Sequence, residues 1–265
     1  MIILLSPAKS LDTTTSVPKV DPTQPVFIKE AKSLVKELRQ FDASKLSSLM
    51  HMSAKLGELN QERYKQWRTP FNRENSRPAI YTFIGDVYQG LQAMSFDKAD
   101  IKFAQSHLRI LSGLYGILKP LDLIQPYRLE MGTHLSTGRG KNLYDFWGSK
   151  LTAHLSQELA AQKSPVIVNL ASSEYFTSIQ AKALDAEVVT PVFKDFSNGK
   201  YRFLSFYAKQ ARGMMAAFLI KQRVDSIDSI KAFSDSGYKF SAAESEGNKL
   251  VFLRKKPPSA AASGK

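Results

Sequence analysis

Four consecutive apolar residues, Ile2, Ile3, Leu4 and Leu5, closed by Ser6-Pro7, constrain the fold more than any other feature of this chain. A strand without a polar face must be covered on both sides, as in a sheet that carries helices on both faces. Leu108 to Leu111 and Val166 to Leu170 read as further buried strands. Segments of helical period lie between them. Val26 to Gln40 sets Phe27, Ala31, Leu34, Val35 and Leu38 on one face. A helical pair is expected between Ser44 and Trp67, a helix from about Tyr144 to Gln162, and a long one from Tyr207 to Arg223. Ala79 to Phe83 reads as a strand, with Asp86 capping a helix toward Met94. Ser197-Asn198-Gly199 and Gly247-Asn248 signal hairpins. Residues 12–25, 68–78 and 113–142 read as loops.

Strands and helices are mixed rather than strictly alternating. The expected class is therefore α/β (mixed α+β), a single compact domain over residues 1–254 around a mixed sheet, with a helical insertion at about 26–70. The tail KKPPSAAASGK, residues 255–265, is expected to be disordered.

The chain holds 37 basic and 24 acidic residues, a formal net charge of +13. That balance favours polyanions as partners: nucleic acid, an anionic membrane surface or phosphorylated ligands. Cysteine is absent, which removes disulfides, thiolate metal sites and cysteine nucleophiles. His51, His107, His134 and His154 stand far apart, with no HxxxH or HExxH spacing. No metal and no cofactor are expected. MIILLSPAKS lacks a basic n-region and is too short in its apolar run for a signal peptide, so the cytoplasm is the default. No membrane partner is expected, and a monomer is the default state.

Residues 46–60, LSSLMHMSAKLGELN, fit the spacing of a helix-hairpin-helix. Leu46, Leu49 and Met52 fill its apolar slots, His51 and Ser53 stand at the hairpin, and Gly57 falls where the helices cross. Such a hairpin exposes backbone N–H groups beside the positive end of a helix, and so grips a phosphate without reading bases. Lys45 and Lys55 flank it and add charge. Both usual hairpin glycines are missing, and a histidine in their place must adopt a left-handed conformation at a cost. An ordinary helical hairpin packed on its leucines would show the same spacing. LSGLYG at 111–116 is a rival hairpin, though its GxxG spacing suits a turn better.

Several charges sit where burial is expected. Lys9 follows the first strand; Arg128 and Glu130 stand two apart in PYRLEMG; Glu174 follows the strand ending at Leu170. Lys209 and Arg212 interrupt the otherwise small and apolar YAKQARGMMAAFLI. Buried charges must pair or serve a ligand. One reading is a structural network, Arg128 with Glu174 or Lys209 with Glu130. The other is a cleft for an anion, with Lys9 as nucleophile or phosphate clamp and Glu130 or Glu174 as acid or base. No motif names a reaction: GxxxxGK[ST], GxSxG and GxGxxG after a strand are all absent.

SPAKSLD, LSSLMHMSAKLGELN, GDVYQGL, LSGLYGILKPLDLIQPYRLEMG, NLASSEYF, FYAKQARGMM and FSDSGYKF, in this order, resemble the YaaA family of bacterial peroxide-stress proteins. The resemblance runs from Met1 to about Arg254. It implies a bacterial stress protein that limits intracellular free iron, with a compact α/β architecture, a positively charged cleft and a helix-hairpin-helix that binds duplex and branched DNA. Where the family pattern usually has alanine, this chain has Gly57. An enzyme acting on a phosphorylated or nucleotide-like small molecule in the charged cleft is the alternative.

Overall fold

The structure is a computed structural model that describes residues 1–160 and 165–255. The apolar N-terminal run becomes the middle of the main sheet. Its strands are β1 (Ile2–Leu5), β2 (Leu108–Ser112), β3 (Gly116–Leu118), β4 (Val166–Asn169), β5 (Glu187–Ser197), β6 (Lys200–Arg202), β7 (Lys239–Phe240) and β8 (Lys249–Arg254). Their order is β7-β8-β5-β4-β1-β2-β3, with β6 paired to β5. β1 runs parallel to β2 on one side, Ile3 opposite Leu108, and to β4 on the other, Ile3 opposite Val168. The pairs β4–β5 and β5–β8 are parallel as well, whereas β3, β6 and β7 are antiparallel additions. All four side chains of β1 are buried. Each contributes roughly 1.5–3 kcal/mol relative to exposure.

The helices are α1 (Ile28–Leu38), α2 (Ala43–Leu49), α3 (Ala54–Gln66), α4 (Ala79–Thr82), α5 (Asp86–Leu91), α6 (Lys98–His107), α7 (Leu143–Trp147), α8 (Lys150–Ala160), α9 (Ser173–Phe176), α10 (Ser205–Lys221) and α11 (Ile227–Ile230). α1 buries Ala31, Leu34, Val35 and Leu38, the face its periodicity marks out. α10 lies against α5 so closely that neither contact residue tolerates a side chain. A Cβ on Gly90 would come within 2.1 Å of the Gln210 carbonyl oxygen, and one on Gly213 within 1.8 Å of that of Val87.

Three local expectations need correction. Ala79–Thr82 is a helical turn, not a strand; it is buried throughout, and the Ala79 and Ile80 amides donate to Asp122 and Pro120 carbonyls. A short apolar run serves a buried turn as well as a buried strand, so periodicity does not separate them. Gly85, at φ 125°, occupies the N-cap of α5, and Asp86 lies in the first turn instead. The helix expected from Tyr144 is broken at Gly148, whose φ is 51°, into α7 and α8. Its expected end at Gln162 lies outside the described residues, as does the tail after Lys255. α6, closed by a reciprocal Asp97–Asp100 capping box, has no counterpart in the expectations.

The order of strands positions the chemistry. From β1 the chain crosses to β2 on one side, and β4 then falls on the other side of β1. A doubly wound sheet opens a crevice at the carboxyl ends of its strands where the winding reverses, here at β1 and β4.

Candidate functional site

The α2–α3 hairpin is built from its caps inward. Asp42 accepts the Lys45 amide at 2.8 Å and starts α2, and Ser53 accepts the Leu56 amide at 3.4 Å and starts α3. The two helices are joined through His51, which holds φ 47°. The histidine therefore occupies the left-handed region in which glycine would be unstrained. The Met52 amide closes the turn on the Ser47 carbonyl at 3.0 Å. Gly57 marks the crossing: a Cβ there would meet Ser47 Oγ at 2.1 Å and the Ala43 carbonyl oxygen at 2.4 Å. Leu46 is buried, with Leu49 and Met52 half-buried against the core. Lys45, His51, Ser53 and Lys55 are all exposed. Apart from the Leu56 amide that Ser53 caps, the first amides of α3 have no intrahelical acceptor, so the hairpin presents N–H groups and the positive helix end to solvent, with Lys55 in the first turn of α3 and Lys45 in that of α2. The rival LSGLYG is the buried turn between β2 and β3, with no exposed residue to offer a ligand.

The second candidate lies at the crevice. Ser6 follows β1 and Ser172 follows β4; the Ser172 amide donates to Ser6 Oγ at 2.9 Å. Tyr88 of α5 donates its hydroxyl to the Ser6 carbonyl at 3.1 Å. Lys9 Nζ stands 3.1 Å from Glu130 Oε1, and Arg128 Nη2 stands 3.0 Å from the same oxygen. Glu130 Oε2 is buried and takes no hydrogen bond among the described residues. Glu174 Oε1 accepts the Gly132 amide at 3.0 Å, and Tyr144 donates to the Glu174 carbonyl at 2.9 Å. Burial, with Tyr127, Glu174 and Glu130 nearby, pushes the Tyr175 hydroxyl well above the ordinary tyrosine value.

The network differs from the expected one. Glu130 takes Lys9 and Arg128, so neither Arg128–Glu174 nor Lys209–Glu130 forms. Segments 6–9, 128–132 and 172–174 meet beyond the carboxyl ends of β1 and β4 and satisfy the short-range pairs first. Lys9 is 65% exposed rather than buried, because it snorkels from the strand end toward water. Lys209 is exposed on α10 and Arg212 half-buried there. Neither has an ion pair or hydrogen bond among the described residues, and no contact joins either to Glu130. Burial alone lowers the Arg212 pKa.

A family model for peroxide stress protein YaaA matches residues 1–244. The chain belongs to the YaaA peroxide stress family. A UPF0246 protein of Saccharophagus degradans is 51% identical over 255 residues, 96% of this chain and all of that relative. UPF0246 proteins of Aliivibrio fischeri and Cellvibrio japonicus are 52% and 51% identical, over 96% and 97% of this chain and 98% and 100% of theirs.

This YaaA-family chain also carries functional candidates that the sequence conceals. Arg63 and Arg68 line a cavity of about 260 Å³. Arg73 and Arg77 line an adjoining one of about 270 Å³, and both cavities include Glu74, Asn75 and Pro126. Arg77 Nε is buried without a partner, while its Nη2 donates to the Thr15 carbonyl at 2.5 Å. A larger cavity, about 750 Å³, runs from Arg77 past Tyr81 to Tyr88, beside the crevice wall. The signal was the arginine content of RTPFNRENSRP, a segment read only as a polar connection. Among the described residues, no group of three or more acidic or histidine side chains could hold a metal ion, and no helix is long and apolar enough to cross a membrane.

Proposed function

We propose that this YaaA-family protein binds duplex or branched DNA by its phosphates, in the cytoplasm, and limits the DNA damage linked to intracellular iron under peroxide stress. The observation that carries the reading is the α2–α3 hairpin: His51 at φ 47°, a crossing that requires Gly57, and an exposed α3 N-terminus with exposed Lys55 in its first turn and exposed Lys45 in that of α2. Backbone amides bind a phosphate whatever the base, so the contact positions the duplex rather than reading it. The arginines lining the two adjoining cavities, together with a net charge of +13, extend the attraction beyond the hairpin.

The test is the double variant Lys45→Glu, Lys55→Glu, titrated against several unrelated duplexes. Affinity should drop by a similar factor for all of them, while the melting temperature stays within a few degrees because both lysines are exposed. Unchanged affinity in the folded variant would move the DNA site off the hairpin.

A second reading has its own observation. The buried, unpartnered Glu130 Oε2 stands beside Lys9 and Arg128, next to the crevice where an open α/β sheet takes its ligands. That arrangement suits an enzyme acting on a phosphorylated or nucleotide-like small molecule. The cations would hold the anion, and Glu130 or Glu174 would transfer a proton.

A further inference from the structure

The cavity of about 750 Å³ beside the crevice wall includes no residue of the α2–α3 hairpin and none of the Lys9, Arg128 and Glu130 cluster. Its volume falls within the roughly 300–1,000 Å³ of ordinary small-ligand sites. Three short, braced segments build it. Ser10 and Leu11 pair antiparallel with Ile84 and Phe83. The Asp12 amide donates to the Thr82 carbonyl at 2.8 Å and so ties that pair to the buried turn α4. α5 ends at Gln92, left-handed at φ 49°, which turns the chain through Ala93–Ser95. Ile80, Tyr81, Phe83, Ile84, Tyr88 and Met94 give the lining its apolar and aromatic character. Ile84 and Met94 are 43% and 58% exposed, so two large apolar side chains of one cavity remain in water. An apolar ligand seated there would remove that surface from solvent.

Two polar groups of the same lining lack partners. Tyr81 is 7% exposed, and its hydroxyl makes no hydrogen bond among the described residues. A hydroxyl in so buried a residue is costly to leave unpaired. Burial raises its pKa, so it remains a donor. Arg77 is the second group. Its Nη2 donates to the Thr15 carbonyl at 2.5 Å, and its Nε is buried without a partner. Its Nη1 makes no hydrogen bond, and no carboxylate pairs with it, among the described residues. The guanidinium also lines the adjoining cavity of about 270 Å³, so it stands where the two meet.

The acidic residue of the lining is Asp12. Its Oδ1 accepts the Thr14 amide at 2.8 Å and the Thr15 amide at 3.0 Å. Hydrogen bonds from Thr15 and Thr14 hold it ionised, well below the usual carboxylate range. The cavity therefore offers one cation with a fixed negative charge close by. A singly charged anion gains from Arg77. A phosphate dianion would bring its second charge up to Asp12.

We infer that this cavity is a binding site for a small organic monocarboxylate with an apolar body, the carboxylate pairing with Arg77, the body covering Ile84 and Met94, and Tyr81 donating a hydrogen bond. The site goes beyond the DNA reading and stands whether or not DNA binds.

Naphthoate is the probe, compared with its neutral amide, naphthamide, and with the dianion naphthyl phosphate. Isothermal titration of the native protein should give naphthoate an affinity roughly tenfold or more above either comparison. With isotope-labelled methionine methyl groups, the Met94 resonance, identified by its loss in Met94→Leu, should shift over the same titration. Tyr81→Phe removes a hydroxyl that has no partner inside the protein. It should keep the native melting temperature and bind naphthoate roughly three- to tenfold more weakly. Arg77→Gln should abolish the preference for naphthoate over naphthamide. If loss of the bond to Thr15 unfolds Arg77→Gln, the native comparison, the Met94 shift and Tyr81→Phe still decide. No naphthoate binding at millimolar concentration, an unmoved Met94 resonance, or equal native affinity for naphthoate and naphthamide overturns the proposal. So does native affinity in the folded Tyr81→Phe variant. Tighter binding of naphthyl phosphate than of naphthoate would also overturn it, by assigning the cavity to phosphates.

Discussion

Asp122 is a buried carboxyl whose pKa moves toward neutral. It is 3% exposed, between the Thr23 hydroxyl at 2.5 Å and the Lys119 amide at 2.7 Å. Burial outweighs those hydrogen bonds and the charges of Lys119 and Arg109, and raises its pKa to about 6. The folded value therefore exceeds the unfolded one. Such a carboxyl stabilises most below about pH 4 and gives that stability up as the pH rises through 6, about 2–3 kcal/mol across the window. His107 and His154, both lowered by burial, act in the opposite direction. The difference between native protein and Asp122→Asn isolates the aspartate. Thermal melts from pH 4.5 to 7.5 should show the native melting temperature gaining on the variant's as the pH falls. Parallel curves would mean that Asp122 keeps an ordinary pKa. None of this is legible in the sequence, because LKPLDLI gives no sign that Thr23 will fold across it. His51 is the opposite case: its place in the hairpin spacing marks it for a left-handed turn before any coordinates are known.

Elements were legible where a pattern spans a whole strand or helix. β1, α1, the α2–α3 pair and the Asn198-Gly199 hairpin follow directly from apolar period, spacing and turn chemistry. The elements that escaped are those whose signals are weak or shared. α6 is half polar on its surface, and α4 is one buried turn that tertiary contacts alone select. The cleft was legible as a list of charges but not as a set of pairs, because pairing depends on how separate segments meet beyond the carboxyl ends of β1 and β4. α10 shows the difference most clearly. Its small residues serve close packing on α5, yet Arg212 stays half-buried there, at a desolvation cost that lowers its pKa. Replacing Arg212 with Met removes that cost while keeping the volume of the stem. The melting temperature should hold or rise, at roughly 2–4 °C per kcal/mol for a chain of this size. If α10 contributes to an anion cleft, inorganic phosphate should protect the native protein against unfolding and fail to protect the variant. Equal protection of both would detach Arg212 from any such cleft, and a variant that melts well below the native protein would make the arginine structural.

At the scale of the whole molecule, the positive charge is distributed over several faces rather than gathered at one point. Lys45 and Lys55 stand in the first turns of α2 and α3, Arg63, Arg68, Arg73 and Arg77 line the adjoining cavities, and Lys200, Arg202 and Lys209 are exposed on β6 and α10. Part of the acidic complement is bound up in pairs: Glu130 with Lys9 and Arg128, Glu158 with Arg109, Asp195 with Arg254. The field outside the protein comes from the excess of cations behind the net charge of +13. Each DNA phosphate they neutralise releases a condensed counterion, so log affinity should fall linearly with log salt, by roughly 0.9 per phosphate contacted on a duplex. If six or more contacts form, affinity should drop about a thousandfold or more between 50 and 200 mM salt. A titration series on one blunt duplex measures the slope. Changing Lys45 and Lys55 to Glu should flatten it by about two contacts' worth, since both lysines leave the phosphate count. A native slope near zero would mean that the charge serves something other than DNA, and an unflattened slope in the lysine variant would place the phosphate contacts on the arginine-lined face instead.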